Sequence, residues 1–344
     1  MLSHPSDSST IPNAFCVDLE EWFHIYDPRS PFEDVGSWDA ARPMVVVDTD
    51  RLLRLLDACD VRGTFLIVGW VAKRYPDLVR RIVDQGHEVG CHSHLHRLVH
   101  TMSPDQFESD LCTALEILRD LSGQPVDIYR APGFSITERC LPWAFDRLVR
   151  HGVRIDVSIV PGTCMYGGIC TSPRDIHRVP VDGNCLIAFP VSVLQILGRS
   201  LQFSGGGYLR LFPKSLLRRG FDQNHRAGRP VMTYIHPRDI NPNQPRLPLS
   251  PIGRVRYYTG LKSCYEKLNW MLHQYRFMTV SEVVRWQTEQ SSMTNDSTDD
   301  GAVTDDDRFG GQHDGGEEMK VDGDPLESNI ADGSRQRRVT PPGP

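Results

Sequence analysis

The sequence predicts an α/β fold in which strands alternate with helices, as an α/β barrel or a wound sheet, followed by a disordered tail. Three observations carry this expectation. Between about residues 12 and 160, short apolar runs alternate with amphipathic stretches, the spacing of parallel strands joined by helical crossovers. Beyond Pro161 the pattern changes to segments punctuated by Gly and Pro. After Gln287 the chain turns to Asp, Gly, Ser and Thr, a composition that buries too little apolar surface to offset its ordering entropy.

Taken in order, Phe15-Cys16-Val17 reads as a buried strand and 48–58 as a helix. Thr64-Phe65-Leu66-Ile67-Val68 reads as a strand, and 76–85 as a helix opened by Pro76, whose ring suits a first turn. Glu88-Val89-Gly90-Cys91 is the next strand, and Ser103 is placed to cap a long helix through Leu121 that stops before Gly123. A strand at 126–129, a helix at 137–150 and a strand at 153–159 complete the alternation. Further on come 186–197, the run Gly205-Gly206-Gly207, the apolar 231–236 ending in His236, a helix at 260–274, then Phe277-Met278-Thr279-Val280 leading into 281–286. The implied organisation is a disordered N-terminus at 1–11, a core at 12–160, a C-terminal α+β extension at 161–287 and a disordered acidic tail at 288–344.

The chain has 344 residues and a net charge of -6. Residues 288–344 carry 14 Asp/Glu against 5 Lys/Arg, so the body, 1–287, stands at +3. A near-neutral body argues against a nucleic-acid binder, which would show a clear basic patch. No stretch approaches the roughly 18–20 uninterrupted apolar residues of a membrane-spanning helix, so no transmembrane segment is expected. Residues 1–12 lack the basic start and apolar stretch of a secretory signal. The nine cysteines form no Cys-x-x-Cys pair and are odd in number, which fits a reducing compartment and a cytoplasmic location.

Polar groups gather where the strands end, the place where parallel α/β folds expose their chemistry. His92-Ser93-His94-Leu95-His96 follows a predicted strand, and a four-residue step on one helical turn would point His92 and His96 the same way, toward a divalent metal. Alone the pair is a weak sign, because scattered surface histidines also produce it; His94 falls on another face. Asp18-Leu19-Glu20-Glu21 follows the first strand and supplies carboxylates, a pattern that solvated turns share. Arg130 follows an apolar run and could orient a catalytic aspartate, although an ion-pair anchor explains it as well. His236 ends a very apolar strand and could serve as a general acid or simply be structural.

Together these segments closely resemble the polysaccharide deacetylase family, the fourth family of carbohydrate esterases. The family's motifs appear in order as Val17-Asp18-Leu19-Glu20-Glu21, His92-Ser93-His94-Leu95-His96, Arg130-Ala131-Pro132, Asp156-Val157-Ser158 and Tyr234-Ile235-His236. The resemblance is closer still to the branch encoded with exosortase-type exopolysaccharide loci. It rests there on 17–24, Gly206-Gly207-Tyr208-Leu209-Arg210-Leu211, 236–242 with Gln244-Pro245-Arg246, and Phe277-Met278-Thr279-Val280, and covers roughly residues 12–286. It implies a distorted (β/α) barrel of the deacetylase type, completed by the C-terminal extension.

Carried over by position, the resemblance implies metal-assisted hydrolysis of an N-acetyl group on a sugar. His92, His96 and an acid of the first motif would hold a divalent ion, zinc being the first choice and cobalt or nickel acceptable. Asp18 would be the general base and His236 the general acid, with Arg130 orienting Asp18 and Asp156 orienting His236. Trp22, Pro132, Tyr208 and Arg238 would meet the carbohydrate substrate. The chain departs from the common pattern at Leu19, where relatives carry a ligating aspartate. The ligand is then Glu20, or else Glu21, and a two-residue step along an extended strand end favours Glu20 by returning it to the face of Asp18. Relatives also have Trp-Glu where this chain has Arg238-Asp239, which bears on substrate preference.

The reading is a cytoplasmic metal-dependent N-deacetylase of an amino-sugar polysaccharide or its lipid- or nucleotide-linked precursor, in exopolysaccharide biosynthesis. The alternatives are an amidase of cyclic ureides or imides and a catalytically silent carbohydrate-binding relative.

Overall fold

Strand β1, Asn13–Leu19, is buried along its whole length, and the two-residue period of a strand sorts its side chains between two cores. Phe15, Val17 and Leu19 join the cluster packed under the helices. Ala14 and Cys16 join Leu66, Ile128, Met232 and Tyr234 on the opposite, inner face, and Asp18 shares their parity. The computed structural model describes residues 11–299.

The core then alternates as expected: α1 (Val45–Ala58), β2 (Thr64–Ile67), α2 (Gly69–Arg74), α3 (Pro76–Asp84), β3 (Glu88–Cys91), α4 (Pro104–Ser122), β4 (Ile128–Tyr129), α5 (Leu141–Arg150) and β5 (Ile155–Asp156). Helix α4 has the expected termini. Ser103 and Gln106 form a reciprocal capping box at its start, and Gly123 closes it with φ +61, a left-handed conformation that suits glycine. Other boundaries differ from expectation. Helix α1 begins at Val45 rather than Asp48, because the Glu21 carboxylate accepts from the backbone N–H of Met44 and Val45 and satisfies donors that would otherwise be orphaned. Helix α5 begins at Leu141 because residues 137–140 form a turn closed by Cys140 N–H on Thr137 O. Strands β4 and β5 shrink to two residues each.

The rest of the chain adds β6 (His177–Val181), β7 (Asn184–Ala188), β8 (Val193–Ile196), β9 (Arg199–Gln202), α6 (Gly206–Leu211), α7 (Lys214–Arg226), β10 (Met232–Ile235), α8 (Pro251–Tyr258), α9 (Leu261–Gln274), β11 (Phe277–Met278) and α10 (Val280–Asp299). The main sheet runs β10-β1-β2-β3-β4-β5-β7-β6, with β11 also on β1. All its pairings are parallel except β6 with β7. It is a curled half-barrel, and β10 from the C-terminal half lies directly beside β1. Their parallel register, Val17 with Ile235, brings the residues that follow both strands to one end.

The chain is helical across the expected start of the tail at 288. Thr279 and Glu282 cap α10 reciprocally, buried Val280, Val283 and Val284 anchor it, and the helix runs through 288 to Asp299. The disorder expected for 1–10 and 300–344 lies outside the described residues.

Candidate active site

Four strand ends converge on one cleft of about 910 Å³, lined by Asp18, Glu20, His92, His96 and His236 among others. Asp18 is fixed by Arg130, whose Nη1 lies 2.5 Å from its Oδ1. Arg130 is itself fully buried. Its Nε donates to Val157 O, and its guanidinium packs on the rings of Phe134 and Tyr234. A charge so enclosed is tolerable only when paired, and removing either partner of such a pair typically costs about 3–5 kcal/mol.

Glu20, His92 and His96 bring one potential ligand atom each to within 4.8 Å of one another, all buried. The expected helical turn at 92–96 is absent. The segment is a loop in which Ser93 (φ +67) and His96 (φ +51) take left-handed conformations. Asp110, on α4, holds that loop by accepting from Ser93 Oγ, His94 N and Leu95 N at 2.6, 2.7 and 3.0 Å. Three bonds to one carboxylate stabilise a backbone that non-glycine residues seldom adopt. His94 is thereby turned away from the cluster, its Nδ1 against Gly69.

The hydrogen bonds behind the imidazoles leave the front nitrogens bare. His92 Nδ1 donates to Arg130 O at 2.8 Å, and burial pushes this histidine down to about 4, so it is neutral near pH 7. Tyr26 OH donates to His96 O at 2.8 Å and accepts from His96 Nδ1 at 3.2 Å. His96 Nε2 then lies directly against Glu20 Oε2, a buried oxygen that no other donor among the described residues reaches. Lone pairs turned toward one another in a buried site fit a cation, and two imidazoles with one carboxylate suit zinc or a similar first-row ion.

Glu21 is excluded from this set, because its carboxylate faces the start of α1; burial pushes it up to about 7 despite those amide bonds. Arg238 Nη1 lies 2.5 Å from Glu20 Oε1 and 3.3 Å from Glu21 O, so Arg238 steadies the candidate ligand. His236 Nε2 stands 3.3 Å from Glu20 Oε1 and 3.9 Å from Asp18 Oδ2. Its Nδ1 lies 2.9 Å from Asp239 Oδ2. Burial alone would raise Asp239, but Arg210, His236 and Arg238 outweigh it and hold the carboxyl well below the usual range.

Three sequence expectations are corrected here. Asp156 does not orient His236; its oxygens accept from Ser158 Oγ and N at 2.6 and 3.0 Å, and Asp239 takes that place. Trp22 does not line the cleft. It lies in an aromatic cluster with Phe23 and Phe32, its Nε1 donating to Arg42 O. Pro132 is buried and accepts from Ser135 Oγ, leaving Gly133 and Phe134 at the cleft. Tyr208 and Arg238 do line it. Sequence reasoning missed Asp239 in this role, although its place three residues after His236 is a capping spacing. It also missed Tyr26, Asp110 and His24. His24, whose ring stacks on His96 at 5.3 Å, carries a buried Nε2 without a partner. Tyr26 and Asp110 gave no local signal, because their partners lie 70 and 15 to 17 residues away.

Residues 37–146 match the polysaccharide deacetylase family model, and residues 157–285 match a model described only as a domain of unknown function. Over 99 residues the chain is 30% identical to a peptidoglycan-N-acetylglucosamine deacetylase of Bacillus cereus, covering 29% of this chain and 36% of that one. Over 150 residues it is 29% identical to a peptidoglycan deacetylase of Helicobacter pylori, covering 43% and 49%. A chitin deacetylase of Colletotrichum lindemuthianum is 34% identical over 97 residues, covering 27% and 39%. The chain thus spans between about a third and a half of these curated relatives. A solved Mycobacterium smegmatis protein that carries a provisional polysaccharide deacetylase name has the same fold, with a TM-score of 0.54, 18% identity, and 84% and 95% of the two chains covered. Family model and relatives together support the polysaccharide deacetylase family for this core.

Proposed function

We propose, for a chain whose core is supported as a polysaccharide deacetylase, that it hydrolyses N-acetyl groups of an amino-sugar polysaccharide or its precursor, with a divalent metal, in the making of an exopolysaccharide. The observation that carries this reading is the joint placement, in one cleft, of the Glu20, His92 and His96 cluster with Asp18 and His236. A silent binding protein needs no such set. The relatives named for peptidoglycan and chitin favour an N-acetylated hexosamine as substrate. A cytoplasmic setting belongs to the same proposal; an odd number of cysteines with no Cys-x-x-Cys pair suits a reducing compartment. Among the described residues no helix is long and apolar enough to cross a membrane.

Glu20, His92 and His96 would hold the ion, which when bound polarises a carbonyl and lowers the pKa of water. Arg130 holds Asp18 by Oδ1, which leaves Oδ2 toward His236 and free to take the proton of the attacking water. The water oxygen bonds to the acetyl carbon, and the C–N bond then breaks. Expelling an amine requires a proton on nitrogen, and His236 Nε2 supplies it while Asp239 holds the far side of the ring. Acetate and the free amino sugar leave.

The test is acetate release from N-acetylglucosamine oligosaccharides by metal-stripped protein resupplied with zinc, cobalt or nickel, beside ring opening of a cyclic ureide. Metal-restored acetate release supports the reading. Ring opening without acetate release would replace it with the amidase alternative.

A further inference from the structure

Seven large apolar side chains are exposed among the described residues, and four of them line the catalytic cleft: Met165 (61% exposed), Leu211 (44%), Ile252 (75%) and Val255 (58%). They come from three separate segments. Leu211 ends α6, Ile252 and Val255 lie three apart on one face of α8, and Met165 lies in the loop before β6. Exposed aliphatic groups scattered singly need no explanation, but several gathered at the rim of one cavity mark a binding surface. Tyr166, Tyr208 and Tyr257 already supply the aromatic faces that suit a sugar, so the four aliphatic chains fit a further, apolar part of the ligand.

The charges in the cleft add a second observation. Arg210 pairs with Asp239 and Arg238 with Glu20, while Asp18 is held by Arg130. Arg256, the third arginine lining the cleft, has no carboxylate partner among the described residues. Its guanidinium instead meets Met165 Sδ and Tyr166 OH and lies over the rings of Tyr166 and Tyr257. A half-buried arginine whose neighbours are neutral suits an anionic group.

Resting on the deacetylase reading, we infer that the substrate is an amphiphile: an N-acetylated amino sugar carried on a phosphate that bears a lipid chain. The chain lies on Met165, Leu211, Ile252 and Val255, and the phosphate meets Arg256. All five residues fall in the stretch matched by the domain of unknown function, which thereby acquires a role in choosing the substrate.

The experiment compares butyl, octyl and dodecyl phosphate esters of N-acetylglucosamine with the neutral dodecyl glycoside, all below their micelle concentrations. Burying one methylene improves binding by up to about four-fold, so kcat/KM is expected to rise by at least about ten-fold from butyl to dodecyl, through KM. Ile252→Ser with Val255→Ser should flatten that rise, and Arg256→Gln should weaken the phosphate esters relative to the glycoside. Equal kcat/KM along the series, or a rise that survives the double substitution, would overturn the inference. Calorimetric binding of dodecyl phosphate itself needs no chemistry. If it binds wild type and not the double variant, the amphiphile site stands even where no sugar is deacetylated, so the two readings fail separately. Sedimentation with phosphatidylglycerol vesicles, without any preference among the monomeric esters, would overturn it in favour of a membrane-docking surface.

Discussion

His236 Nδ1 lies 2.9 Å from Asp239 Oδ2, and the other oxygen of that carboxylate lies 3.0 Å from Arg210 Nε. The same Oδ2 accepts from His236 N at 2.9 Å, so one turn of chain fixes both the backbone and the ring of the candidate acid. Asp239→Asn is expected to lower kcat by about 10²–10⁴-fold and to move the alkaline limb of the pH profile, with metal content unchanged. Gly206→Ala should act in the same direction, because a methyl there overlaps Asp239 Oδ2. Steady-state kinetics beside elemental analysis checks both; a variant of normal kcat would remove Asp239 from the account.

The metal cluster predicts a pattern across neighbouring residues. Glu20→Gln and His92→Ala should each lose the bound ion, whereas Glu21→Gln and His94→Ala should keep it, since the Glu21 carboxylate and the His94 ring face other parts of the fold. Mass spectrometry of the native protein reads the stoichiometry directly. Loss of the ion from Glu21→Gln alone would reverse the assignment of the acid.

Asp110 touches no candidate ligand through its side chain, yet it holds the loop that carries two of them. Asp110→Ala should weaken metal binding by about 10–100-fold, the usual effect of removing such support. It should also lower the melting temperature, because Ser93 Oγ, His94 N and Leu95 N lose their acceptor. Metal titration followed by competition with a chelator measures the first effect and calorimetry the second. An unchanged affinity would show that the loop holds itself.

Asp156 is fully buried, and that burial pushes its carboxyl up to about 6 although Ser158 and Arg130 pull it down. Because the folded value lies above the unfolded one, its contribution to stability is complete below about pH 4 and is lost as the pH rises toward 6. The full swing is on the order of 3 kcal/mol at most. Asp156→Asn removes the titration, so the variant should gain stability relative to wild type across that window, whatever constant loss it carries. Denaturant unfolding at several pH values checks the sign. A constant gap between the two proteins would contradict it.

The sequence revealed the residues that end strands, because a buried strand is an apolar run and a polar residue closing it stands out. Asp18, Glu20, Arg130 and His236 were visible for that reason. The helix termini at Ser103 and Gly123 were visible through local capping chemistry. Contacts made at long range were not. The two left-handed residues of the 92–96 loop depend on Asp110, and spacing alone suggested a helical turn instead. Asp156 and Trp22 look like site residues in a linear motif, but the three-dimensional register directs them to Ser158 and to an aromatic cluster. The reach of α10 to Asp299 was hidden because polar composition reads as disorder even where a capped, valine-anchored helix carries it onward.

In the proposed mechanism Asp18, held by Arg130, takes the proton of the attacking water, and Glu20, His92 and His96 would hold the metal. The decisive measurement is acetate release from an N-acetylated amino-sugar oligomer by metal-loaded wild type and Asp18→Asn at equal metal occupancy. Wild type should release acetate, and the variant should be slower by at least about 10²-fold. Comparable release from both proteins at equal occupancy would contradict it.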